Sequence, residues 1–150
     1  MEVRVFDEET CAKALEQLAE FAETKGFTFA KFESVGDEPR EPIPDLIIVP
    51  EPLAPGAKPW AHETELLVEV VSQRNYREDY EGKRRRYAMS GAPQYLLVDP
   101  RDGVCVLYTE PIKSEGTYER IVTTKFEQPI EGVLCMDGAP LDTSEFLRYT

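Results

Sequence analysis

Glu69 lies near the end of an otherwise apolar run, with Leu66, Leu67 and Val68 before it and Val70 and Val71 after it. Such a run reads as a strand buried on both faces. A carboxylate placed there loses most of its hydration, which costs several kcal/mol unless a cation, a metal or strong donors compensate. A second acid, Asp45, heads the β-branched run Leu46-Ile47-Ile48-Val49, so the two carboxylates can meet at the ends of neighbouring strands. Residues 76–91 read as a helix. At about 100° per residue, Tyr76, Tyr80, Lys83 and Tyr87 fall on one stripe, whereas Glu78, Glu81 and Arg85 point the other way. Two acids, a backbone carbonyl and an inward lysine make a hard-oxygen site suited to Mg2+ (or Mn2+) and to phosphodiester cleavage. In that chemistry Lys83 would orient or help deprotonate a water, or stabilise developing charge.

Taken singly, each residue has a plainer reading. Asp45 follows proline and fits a turn, Glu69 could be hydrated on an edge strand, and Lys83 could carry its ammonium past the tyrosines to water. Together they favour one shared polar pocket. Asp79 stands one helical turn before Lys83 and could orient its ammonium. The tyrosines are expected to form core and pocket wall, and Asp99, just before Pro100, reads as a turn residue.

The elements that must position these groups alternate along the chain. Residues 10–25 show helical spacing ended by Gly26, and residues 27–33 and 44–49 read as strands. Residues 50–59 hold four prolines and a glycine, the mark of an exposed loop. After the Glu69 strand and the tyrosine-striped helix, with Gly91 as its C-terminal cap, come strands at 95–98, 104–109 and 118–123, the last two as a hairpin. A weaker strand is expected near 133–136, and residues 142–145 offer a short terminal turn. The order predicts an α/β architecture, a central mixed β-sheet flanked by at least two α-helices, with ligands at the strand ends.

The chain has 150 residues and 41% hydrophobic content, which fits one domain spanning 1–150 with its own core. No apolar stretch approaches the ~20 residues that cross a bilayer, and acidic residues stand where a secretory leader would be basic, so a cytoplasmic protein is expected. Cys11, Cys105 and Cys135 lack paired metal-site spacing and read as reduced thiols, and the lone His62 cannot build a histidine cluster. A net charge of −12 argues against broad adhesion to nucleic acid. Even so, Arg74, Arg77, Lys83, Arg84, Arg85 and Arg86 gather six of the 17 positive charges into one region. That region is either a local nucleic-acid contact or a solvated helix face paired with Glu78, Asp79 and Glu81.

Pro44-Asp45, the strand end Val68-Glu69-Val70-Val71-Ser72, the helix spacing Asp79, Lys83, Tyr87, the turn residues Gly91, Pro93, Tyr95 and the strand end Val98-Asp99-Pro100 resemble the Uma-two family. These are bacterial proteins grouped with restriction endonucleases in the PD-(D/E)XK nuclease superfamily. The resemblance runs from about Leu15 to near Phe146. It implies a restriction-endonuclease-like core in which Asp45 and Glu69 bind the metal, the Val70 carbonyl completes its shell and Lys83 is the catalytic lysine, displaced into the helix because Val71 holds the usual position. Asp79, Tyr87, Arg74 and Arg77 become supporting or substrate-contacting candidates. The loop Gln73-Arg74-Asn75 departs from the family's Ser-Pro-Ser-like stretch, and only Met1 to Asp7 precedes the first helix where relatives often carry a hairpin. Glu16 and Glu20 read as solvent-facing acids. The resulting expectation is a divalent-metal-dependent DNA endonuclease, for which a homodimer would fit double-strand cutting. The alternative is a noncatalytic DNA-associated or protein-binding module on the same scaffold.

Overall fold

The computed structural model describes residues 30–34, 42–50, 54, 56–72, 74 and 76–148. The expected first helix at 10–25, with Cys11, Glu16 and Glu20, and the beginning of the strand at 27–33 lie outside these residues. Five strands form one sheet in sequence order: β1 (Leu46–Ile48), β2 (Leu66–Val70), β3 (Gln94–Asp99), β4 (Val104–Ile112) and β5 (Thr117–Lys125). β2 and β3 run parallel, and every other neighbouring pair is antiparallel. The sheet is therefore mixed. A parallel pair requires a crossover, and here it is a helical segment whose first part is a π-helix, Glu78–Lys83, continuing without a break into α1, Arg84–Met89.

Strand parity explains the two sides of the sheet. Leu46, Ile48, Leu66, Val68, Val70, Leu96 and Val98 face one way and are covered by Ile130, Val133, Met136, Leu141 and Phe146 from the C-terminal segment. Ile47, Leu67, Tyr95, Leu97, Val106 and Tyr108 face the other way, beneath Tyr87, Ala88 and Ala92 of the helix and its exit turn. Rings run across this second face: Tyr87 meets Tyr95 edge-on at 4.8 Å, and Tyr95 stacks on Tyr108 at 5.5 Å.

Gly91 ends α1 as its sequence position predicts. With φ of +77° it allows Gly91 N–H to reach the Ala88 carbonyl and Ala92 N–H to reach that of Tyr87, the paired bonds of a Schellman motif. Two expectations need correction. Residues 133–136 do not form a strand; Leu134–Met136 is a 3-10 turn whose Leu134 N–H is held by the Gln94 side chain. The hairpin strands are longer than predicted, at nine residues each. Of the expected flanking helices, the one carrying Lys83 covers the sheet and the other, at 10–25, lies outside the described residues. None of the described helices is long and apolar enough to cross a membrane.

Candidate active site

Register brings the two acids together. Leu46 pairs with Val68 in the antiparallel β1–β2 ladder, so Asp45, one residue earlier, stands opposite Glu69, one residue later. Both have the odd parity of Ile47 and Leu67 and so lie on the helix-covered face. Asp45 N–H donates to the Val68 carbonyl at 3.0 Å, and Asp45 Oδ2 accepts the Val70 N–H at 2.8 Å. The acid side chain thus takes over where regular pairing stops. Both carboxylates are buried, at 4% and 2% exposure.

The crossover supplies the rest. Tyr87, in α1, donates its hydroxyl to Glu69 Oε1 at 2.7 Å, and Lys83 Nζ lies 3.2 Å from Glu69 Oε2 and 3.0 Å from Asp79 Oδ1. Asp79 is also buried, and its carboxylate accepts a bond from the backbone N–H of Ser72. On the π-helical turn, consecutive residues reach different partners: Asp79 holds Lys83 beside Glu69 of β2, while Tyr80 reaches Asp99 at the end of β3. These groups open into one cleft of about 400 Å³, lined by Ile43, Asp45, Glu69, Val70, Ser72, Glu78, Asp79 and Lys83. It lies at the carboxyl end of β2, where a parallel strand pair commonly presents its ligands.

The electrostatics follow from this crowding. Burial pushes the Glu69 carboxyl well above its ordinary value; Lys83 and the Tyr87 hydroxyl oppose the rise, whereas Asp45 and Asp79 add to it. Burial likewise raises Asp79, against the pull of Lys83. For Lys83, burial disfavours the charge, but Glu69 and Asp79 outweigh it and hold the ammonium above the usual lysine range. The two carboxylates beside it thus favour the charged form of Lys83.

A divalent cation fits this donor set. Among the described residues lining the cleft, three buried acids, Asp45, Glu69 and Asp79, stand with one lysine, Lys83, a concentration of acid oxygens that a hard cation would offset. No group of three or more Asp, Glu, His or Cys among the described residues is arranged to hold a metal ion by itself. Two carboxylates and a carbonyl with open positions suit Mg2+, which keeps several of its waters.

Other candidates fall elsewhere. Arg74 and Arg77 are exposed and are not among the residues lining the cleft, and Arg86 is buried rather than part of a solvated basic face. Glu78, expected to point away, lines the cleft. Asp99 is not a simple turn residue. It is fully buried, accepts the Tyr80 hydroxyl at 2.6 Å and takes a forked pair of bonds from Arg101, whose guanidinium lies 4.1 Å from the centre of the Tyr76 ring. Sequence reasoning missed this clasp. Its one signal was an aspartate ending an apolar strand, the same signal that Glu69 gives.

The sequence profile of the Uma2 family, described as "putative restriction endonuclease", matches residues 8–144. No curated protein matches the chain at a significant level.

Proposed function

The chain belongs to the Uma2 family, and from that membership together with the cleft we propose that it is a divalent-metal-dependent DNA endonuclease. The carrying observation is the convergence of Asp45, Glu69 and the Lys83 ammonium on one cleft at the carboxyl end of β2. The mixed sheet and its crossover helix accord with a restriction-endonuclease-like α/β fold.

Asp45, Glu69 and the Val70 carbonyl would hold the ion. When bound, a divalent cation neutralises phosphodiester charge and acidifies a water. The chain's own residues do the rest. An ammonium has three N–H donors; Glu69 and Asp79 engage it from the protein side, leaving donor capacity for a phosphate oxygen or for the charge that develops as the bond breaks. Tyr87 orients the Glu69 carboxylate from beneath, and the Asp45 bond to Val70 N–H fixes the two strand ends against each other.

Purified protein incubated with supercoiled and linear DNA in Mg2+ or Mn2+, beside Glu69→Ala and Lys83→Ala, tests the reading. Nicking by wild type alone supports the nuclease. Equal and negligible nicking in all three supports the noncatalytic module instead.

A further inference from the structure

Asp79 is the acid whose place in the cleft has the least obvious purpose. It is buried and lies on the π-helical turn rather than on a strand, and it does not join Asp45 and Glu69 in any ligating trio among the described residues. Its surroundings instead fix it from two directions. The Ser72 backbone N–H binds its carboxylate from the exit of β2, and the buried Tyr95 hydroxyl donates to its backbone carbonyl at 2.8 Å from β3. What it holds in turn is Lys83, at 3.0 Å, closer than the 3.2 Å between Lys83 and Glu69.

A lysine stem has four rotatable carbons, so one partner does not define where its ammonium sits, whereas two fixed acceptors do. One of those acceptors, Glu69 Oε2, is also an atom that a cation in the cleft would claim. Resting on the nuclease reading above, we propose that Asp79 is the positioning residue for Lys83, keeping its ammonium in the cleft when Glu69 is given over to a cation. On the same turn Asp79 faces Lys83 while its neighbour Tyr80 is clasped to Asp99.

The test uses Asp79→Asn and Asp79→Ser, each checked by thermal melting, in wild-type and Lys83→Met backgrounds. The first readout needs no activity: lysine side-chain NMR follows hydrogen exchange of the Lys83 ammonium with Mg2+ present. Slow exchange in wild type, accelerated about tenfold or more in either folded variant, supports the assignment. Unchanged exchange in both overturns it. The second readout is cleavage kinetics alongside Mn2+ affinity. The expected result is a fall in kcat of about 10- to 100-fold with KM little changed, Mn2+ affinity within about tenfold, and no further loss when Lys83 is already Met. A larger loss of Mn2+ affinity would make Asp79 a ligand, and additive loss in the Lys83→Met background would show that it acts independently of Lys83; either overturns the proposal. If wild type cleaves nothing, the nuclease reading fails by itself, and the ammonium exchange still decides whether Asp79 holds Lys83.

Discussion

Asp45 and Glu69 stand opposite each other across β1 and β2, and Asp45 Oδ2 accepts the N–H of Val70, the residue that follows Glu69, at 2.8 Å. One acid therefore fixes the backbone that carries the other. Replacing Asp45 by Ala removes a candidate ligand and leaves a buried N–H without that acceptor. The expected stability loss is about 1–3 kcal/mol. Asp45→Asn, which retains an acceptor oxygen, should recover most of that stability while still losing DNA cleavage. Urea melts beside nicking assays separate the two effects; full activity in Asp45→Asn would remove the acid from the site.

Tyr87→Phe deletes the hydroxyl that donates to Glu69 Oε1 and leaves the ring contacts with Phe32 and Tyr95 in place. Groups that orient a metal ligand typically matter by about 10- to 100-fold in affinity or activity. Titration of Mn2+ into the variant should show weakening of that order. An affinity equal to wild type would show that Glu69 needs no such support.

The Tyr80–Asp99–Arg101 clasp should matter for stability more than for ion binding. Tyr80→Phe removes one bond to a fully buried carboxylate, at an expected cost of about 1.5–3 kcal/mol. Denaturant unfolding measures it, and Mn2+ affinity should remain close to wild type. Unchanged stability would mean that the three Arg101 bonds, two from the guanidinium and one from the backbone N–H, alone satisfy Asp99.

The pH dependence has a definite sign. Burial first, then neighbouring acids, raise Glu69 above its ordinary value of 4.5, so the folded chain binds that proton more tightly than the unfolded chain does. The stability linked to Glu69 is full below the unfolded value and is lost as pH rises through the folded one. Without divalent ions, the melting temperature of wild type should rise as pH is lowered from neutral toward 4.5. Glu69→Gln should lack this component and flatten the curve. The high net negative charge contributes to both proteins, so the difference between the two curves is the quantity to read. Parallel curves would contradict the assignment.

Continuous apolar runs made β2 and β3 legible, and the same parity that buries Leu67 and Ile47 places Asp45 and Glu69 on one face. The helix carrying Lys83 was legible from its tyrosines and from Gly91. Its π-turn was not, because i→i+5 bonding has no simple residue signature. Asp99 was misread for a related reason: the residues after it, Pro100 onward, look like a turn, and the partner that buries it, Tyr80, lies 19 residues earlier. Residues 133–136 are apolar enough for a strand, but Gln94 draws the Leu134 N–H into a 3-10 turn. Local pattern reports which face a residue takes; it does not report a polar partner from a distant element.

Titration of Mn2+ into the chain, followed by electron paramagnetic resonance of the free ion, tests the central claim most directly. The cleft predicts saturable binding in wild type that is lost in both Asp45→Asn and Glu69→Gln, each confirmed as folded. Binding that survives both substitutions unchanged would place any ion elsewhere and contradict the account.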